Sequence, residues 1–256
     1  MSQYYNVRKK TFADGTEQYM FYDKARARDY EEERPKKDKE EGGGSSDKER
    51  SQEVSRKRAV QMVYDIAKSN IWDWFITLTF NPKLVDSYDY DDCVKHIQKF
   101  TRILRDYNED FVYLLVPELH EKGRYHFHGL IKGPLPHEEA RNPWGKLILD
   151  DNGHQVYNIP IFKYGFTTAI KCYSQAATGY VAKYITKQDA VPEGKKRYWA
   201  SRNVARPKLE YLELDMEEYC RIFNASDYQK KTETQWGTFE LLEIHGKEEV
   251  DVHITK

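Results

Sequence analysis

The 256-residue sequence lacks several features that mark common classes of protein. Its three cysteines, Cys93, Cys172 and Cys220, are far apart and odd in number, so they form neither a CxxC pair nor a disulfide framework. We interpret them as packing residues in a reducing compartment. No apolar run approaches the roughly 18 residues that cross a bilayer. The N-terminal MSQYYNVRKK lacks the apolar core of a signal peptide, so we expect a cytoplasmic protein without a membrane segment.

The chain also lacks a strong net charge, because 41 Lys and Arg residues face 42 Asp and Glu residues. A formal charge of -1 provides no global attraction for nucleic acid, so binding of that kind requires a local basic patch. Aromatic residues, in contrast, make up 14% of the sequence, which is typical of a folded protein rather than of a solvating tail. We therefore expect a globular body.

Composition divides the chain into four predicted parts. Residues 1–30 contain an Asp-Gly pair between two strand-like runs, which predicts a β-hairpin appendage. Residues 31–54 are almost entirely polar and are predicted to form a charged, flexible linker. Residues 55–205 mix helical and strand patterns with at least one antiparallel hairpin, which favours an α+β domain. Residues 206–256 form a C-terminal extension without a predicted role.

The segment PELHEKGRYHFHGL carries a candidate metal site. In a β-strand, residues two positions apart share a face, so His126 and His128 project together. If this strand pairs with the preceding FVYLLVPE strand, Glu118 lies opposite His126 and adds a carboxylate. Two imidazoles and a carboxylate suit Mg2+ or Mn2+ and leave positions for phosphate oxygens. A lone HxH pair is often ordinary, and His120 falls on the same face, where it could replace or support Glu118.

A second pattern, GYVAKYITK, lies in a helix predicted over residues 174–187. One face of this helix carries Tyr180, Lys183, Tyr184 and Lys187, whereas the apolar residues occupy the opposite face. A phenol becomes a nucleophile when a cation favours its phenolate, and Lys183 is one turn from Tyr180. With a divalent metal, a tyrosine could attack a DNA phosphate, release a 3′-oxygen and retain the 5′-phosphate. A tyrosine stripe is more often core or interface, but these tyrosines lie away from the apolar face.

Three motifs, in this order, resemble those of the HUH endonucleases, specifically the rolling-circle replication initiators of bacteriophages and plasmids. FITLTFNP is similar to the first motif, HFH with the upstream glutamate to the metal motif, and YVAKY to the two-tyrosine motif. The resemblance spans about residues 55–205 and implies an antiparallel sheet flanked by helices, with the metal strand central. It implies a site-specific nicking and joining enzyme that acts on single-stranded and origin hairpin DNA. The residues implied are Glu118, His126 and His128 for Mg2+ or Mn2+, with Tyr180, Tyr184 and Lys183 for catalysis.

The resemblance also defines partners and alternatives. The sequence contains no GxxxxGK[ST] phosphate loop, so replication would depend on a host helicase and polymerase. A relaxase would carry its tyrosine ahead of the histidines, and a small HUH transposase is generally shorter with one tyrosine. Both remain alternatives, as does a non-catalytic nucleic-acid-binding module. Tyr184 is either a second nucleophile or a positioning group.

Residues 176–210 form a local basic stretch that is a candidate DNA contact. The candidate contact residues are Lys187, Lys195, Lys196, Arg197, Trp199 and Arg202. Trp199 and the adjacent Tyr198 could stack on unpaired bases. A run of charge is equally compatible with an ordinary solvated surface.

Overall fold

The computed structural model describes residues 4–27, 45–172, 191–234 and 237–246. The chain divides into two compact units, which we call unit 1 (Met1–Gly43 with Arg206–Lys256) and unit 2 (Gly44–Ala205). Within the described ranges, no helix is long and apolar enough to cross a membrane.

Unit 1 contains a five-stranded antiparallel sheet that combines both ends of the chain. Its strands are β1 (Tyr4–Thr11), β2 (Glu17–Ala27), β10 (Lys208–Leu212), β11 (Tyr228–Thr234) and β12 (Gly237–Ile244), in the order β10-β1-β2-β12-β11. Helix α3 (Met216–Ala225) contributes Ile222 to the small core of this unit. The predicted β1–β2 hairpin is present. It is not a separate appendage, because β10 and β12 pair with its two strands.

Unit 2 contains a seven-stranded antiparallel sheet and two long helices among its described residues. The helices are α1 (Ser45–Lys68) and α2 (Tyr90–Tyr107). The strands are β3 (Trp74–Phe80), β4 (Val112–Leu119), β5 (Tyr125–Lys132), β6 (Glu138–Glu139), β7 (Tyr157–Asn158), β8 (Gly165–Lys171) and β9 (Trp199–Ala200). Their order is β6-β7-β8-β3-β5-β4-β9, so β5 lies between β3 and β4. The α+β fold class is confirmed, and the histidine strand is central.

Helix α2 covers one face of this sheet. It begins after Asp89, whose side chain accepts hydrogen bonds from the backbone N–H groups of Asp91 and Asp92. Apolar residues then recur three or four positions apart, which builds a continuous buried stripe. The stripe and its partners in the sheet include Cys93, Ile97, Phe100, Leu104, Ile76, Leu78 and Phe127. The face of the sheet opposite to the histidines is therefore a closed hydrophobic core.

Helix α1 packs on the other face and begins within the predicted linker. Its buried residues Val63, Ile66 and Ala67 share a cluster with Leu114, Val116 and Leu130 of β4 and β5. Ser45 starts the helix, so the flexible linker predicted for residues 31–54 is wrong for residues 45–54. The early turns are polar, and Glu53 pairs there with Arg56 at 2.9 Å and Lys57 at 3.3 Å. A helix anchored by its C-terminal half can extend through such residues without burying them.

Two of the three cysteines are packing residues as predicted. Cys93 is buried, and burial raises the pKa of its thiol to about 12. Burial likewise raises the pKa of Cys172 to about 12. Cys220, in contrast, is exposed on α3, so the packing interpretation is wrong for this residue.

Candidate active site

The β4–β5 hairpin brings the predicted metal ligands together. Glu118 is the register partner of His126, as predicted, and Val116 is the partner of His128. The hairpin reverses at Gly123, which has a φ of 78° and donates its N–H to the His120 carbonyl at 2.7 Å. The geometric prediction for Glu118 is confirmed. Metal binding by these side chains stays a prediction.

His128 is fixed from both sides of its ring. Its Nε2 lies 2.6 Å from Glu118 Oε2, and its Nδ1 lies 3.0 Å from Thr77 Oγ1 on β3. Its side chain is buried, with 7% of the residue exposed. Since both ring nitrogens have partners, the imidazole has a defined orientation.

His126 has an equivalent partner on β3. Its Nδ1 lies 3.1 Å from Thr79 Oγ1, so Nε2 is the ring nitrogen that can serve as a ligand. Burial lowers the pKa of His126, and electrostatic interactions with His120 and Arg124 lower it further, whereas Glu118 opposes this shift. A lowered pKa keeps the imidazole neutral, which is the form that binds metals.

His120 lies beside His126 rather than at the Glu118–His128 contact. The two rings stack with centroids 5.5 Å apart and an interplanar angle of 28°. His120 is exposed in the hairpin turn, and its Nδ1 accepts a hydrogen bond from the Lys122 N–H at 3.3 Å. Its geometry therefore suits an accessory role at His126 better than the replacement of Glu118.

The donor set fits a hard divalent ion, but it is not arranged as a closed metal cluster. In the described part of the chain, no three His, Cys, Asp or Glu side chains form a group that could hold a metal ion as they stand. Glu118 and His128 are in direct contact, whereas adjacent ligands of an octahedral Mg2+ or Mn2+ stand about 3 Å apart. Opening this 2.6 Å contact slightly would present the carboxylate and Nε2 to an ion.

Residues 73–189 match the family model described as replication-associated protein ORF2. The match covers somewhat less than half of the chain and is consistent with a rolling-circle replication initiator. It begins at the residue before β3 and includes α2, both strands of the histidine hairpin, and β8. The predicted resemblance to rolling-circle replication initiators is confirmed at this level. No curated protein and no solved structure matches the chain.

The predicted nucleophiles lie within the matched segment but outside the described residues. These are Tyr180 and Tyr184, with Lys183, and the predicted DNA contact Lys187 lies outside them too. The helix predicted over residues 174–187 has the same status. The roles of these residues stay predictions.

The described part of the basic stretch supports only some of the predicted DNA contacts. The prediction that Trp199 stacks on DNA bases is wrong. Its side chain lies in the core with 7% of the residue exposed, and the centroid of its ring is 5.3 Å from that of Phe127. Its neighbour Tyr198 is half-buried and packs against the hydrophobic cluster that α1 forms with β4 and β5, so its ring is not fully exposed for base stacking either. Lys195 Nζ lies 2.6 Å from Asp91 Oδ2, which compensates its charge.

Three further candidates remain predicted DNA contacts. Lys196 and Arg202 are exposed, and Arg197 is half-buried. Lys196 Nζ also lies 5.8 Å from the centroid of the buried Trp199 ring.

Thr77 and Thr79 are site residues that the motif comparison did not single out. Both belong to FITLTFNP, the segment whose sequence as a whole resembles the first family motif. The signal was present in its alternation, because Ile76 and Leu78 are buried on one face while Thr77 and Thr79 fall on the other. Two hydroxyls on the face of the histidines are suited to orienting imidazoles.

Proposed function

We propose that the chain is a metal-dependent endonuclease and ligase of single-stranded DNA that initiates rolling-circle replication of a phage or plasmid. The observation that carries the proposal is the convergence of Glu118, His126 and His128 on one face of the central hairpin of a replication-associated domain. The threonine hydroxyl at each Nδ1 supports the proposal, because metal-binding histidines commonly have their second ring nitrogen held by such a partner.

The three side chains would hold Mg2+ or Mn2+ through Glu118 Oε2 and the two Nε2 atoms. The ion would supply charge stabilisation at the scissile phosphate. Thr77 and Thr79 act behind the ligands, because each can accept the Nδ1–H that a histidine carries when Nε2 binds a metal. The lowered pKa of His126 supports the neutral state that ligation requires.

Tyr180 or Tyr184 is the proposed nucleophile. The phenolic oxygen forms a bond to phosphorus as the bond between phosphorus and the 3′-oxygen breaks, and the 3′-oxygen takes up a proton. The 5′-phosphate remains on the tyrosine, so a later attack by a 3′-hydroxyl rejoins DNA without ATP. Lys183 favours the phenolate through its positive charge. A second tyrosine would permit a new cleavage while the first is occupied.

The partners follow from this chemistry. A replication initiator binds DNA, and the proposed substrates are single-stranded DNA and an origin hairpin. Strand separation and copying are assigned to a host helicase and polymerase.

The test uses single-stranded oligonucleotides of random sequence, so that the origin need not be known. With Mn2+, DNA labelled at its 3′ end is expected to become covalently attached to the protein on a denaturing gel, whereas a 5′ label is released. The attached DNA, once sequenced, reports the cleavage site. The double substitution Tyr180→Phe, Tyr184→Phe should abolish the adduct, and Tyr107→Phe on α2 is the matched control.

One outcome would contradict the assignment of the nucleophile, and another would contradict the metal site. An adduct of undiminished yield in the double tyrosine variant would remove the nucleophile assignment. Full activity in EDTA, or in His128→Ala, would remove the metal site.

A further inference from the structure

Four side chains form a row across the sheet of unit 2 at the level of His126. Glu118 on β4 pairs with His126 on β5, His126 pairs with Thr79 on β3, and Thr79 pairs with Phe166 on β8. Direct partners in an antiparallel sheet project from the same face. The row therefore runs from a carboxylate through an imidazole and a hydroxyl to a phenyl ring.

Phe166 is anomalous for its position. It is 69% exposed, and Thr168, the next residue on the same face of β8, is also exposed. A single exposed apolar side chain is common and carries no meaning alone. Phe166, however, lies close to the candidate active site, because only two strand spacings, about 10 Å, separate its backbone from that of His126.

The surrounding chain fixes this placement and adds positive charge. Gly165 allows β8 to approach β3 closely, since an added Cβ would collide with the Thr79 carbonyl oxygen. The Asn81 N–H donates to the Tyr164 carbonyl at 2.9 Å at the same end of both strands. Lys83 and Lys163, which are exposed next to this bond in the sequence, can contact backbone phosphates.

We propose that Phe166 is a stacking subsite for one unpaired base beside the scissile phosphate of single-stranded DNA. The inference rests on the proposed function, because that function supplies the DNA. Stacking on a phenyl ring requires a base whose face is accessible, so Phe166 would favour single-stranded over duplex DNA. Every base offers such a face, so the subsite would not read sequence.

The test measures the affinity of the full-length protein for 3′-fluorescein oligo-dT by anisotropy in EDTA, where a metal-dependent cleavage does not interfere. Phe166→Ala and Phe166→Leu are expected to raise the Kd by about fivefold or more, the effect of one lost base stack. Phe166→Trp should bind at least as tightly as the natural protein. Binding to a duplex of dT with dA should be unchanged in all three variants.

Two comparisons decide between stacking and other causes. Phe166→Leu keeps an apolar side chain without an aromatic face, so natural affinity in this variant would overturn the proposal. Tyr107→Ala removes another exposed aromatic ring, from α2, and an equal loss of affinity there would also overturn it. Thermal unfolding of each variant verifies that the fold is retained.

The failure of this inference is distinguishable from failure of the proposed function. If the natural protein forms the covalent adduct and Phe166→Ala binds oligo-dT normally, the nickase stands and the stacking subsite is refuted. If no adduct forms but Phe166→Ala and Phe166→Leu lose single-strand affinity selectively, the subsite stands and the cleavage chemistry is refuted.

Discussion

Thr77→Val tests whether β3 orients the proposed metal ligands. Valine has nearly the shape of threonine but no hydroxyl, so the change removes the 3.0 Å contact with His128 Nδ1. Without metal, the imidazole can carry its proton on Nε2 and donate it to Glu118. With metal on Nε2, the proton must move to Nδ1, where valine cannot accept it.

The expected magnitude follows from the burial of His128, which is 7% exposed. A buried donor left without a partner costs about 1–3 kcal/mol. The metal-free imidazole also loses its hydroxyl partner at Nδ1, so only the difference between the two states changes the affinity. A metal on Nε2 makes the Nδ1–H a stronger donor, so the loss is larger in the metal-bound state, and Mn2+ affinity should fall severalfold, up to about tenfold. Thr77→Ser, which keeps the hydroxyl, should restore most of the affinity.

Calorimetric titration of the protein with MnCl2 measures this effect without requiring catalysis. Thr168→Val is the matched control, because Thr168 is the β8 register partner of Thr77 and its side chain is exposed on the same face. Equal Mn2+ affinity in the natural protein and Thr77→Val would refute the reasoning. An equal loss in both valine variants would show that the hydroxyl beside His128 is not the cause.

Other predictions concern stability and are measured by denaturant unfolding. Gly129→Ala should destabilise unit 2 by about 1–3 kcal/mol, because its Cβ would collide with Leu115 and lie 2.7 Å from the Leu114 carbonyl oxygen; an unchanged midpoint would contradict this packing. Phe100→Ala should cost about 3–5 kcal/mol, since the ring is fully buried beneath the sheet; a cost below 1 kcal/mol, roughly that of a surface change, would place the ring outside the core. Asp215→Ala should destabilise unit 1 by about 1 kcal/mol, because the N-cap of α3 is lost. Asp215→Asn, which can still accept the capping hydrogen bond, should retain most of the stability of unit 1.

The histidine hairpin could be predicted from the sequence because its determinants are local. Alternation places His126 and His128 on one face, and the short Lys-Gly turn fixes which residue of β4 lies opposite each. The donor atoms of these side chains follow from residue type, whereas their binding of a metal stays a prediction. The 2.6 Å contact between Glu118 and His128 could not be predicted from the sequence, because it depends on side-chain rotamers.

Other features depend on long-range packing that no local pattern encodes. Trp199 follows basic residues in the sequence, but the space beside Phe127 decides that it enters the core. The polar start of α1 has the composition of a linker, although the anchored turns that follow make it helical. Pairing of β1 with β10 joins residues that nearly the whole chain separates, and its strands give no sign of their partner.

The strand order of unit 1 has a consequence for synthesis on the ribosome. β1 and β2 emerge first, but their neighbours β10 and β12 emerge after all of unit 2. A lone two-stranded hairpin is marginally stable at best, whereas unit 2 is compact and has its own core. The histidine strand can therefore fold on the nascent chain while the first hairpin still awaits its partners. A product terminated soon after Ala205 would keep the nuclease candidate and lose the five-stranded sheet.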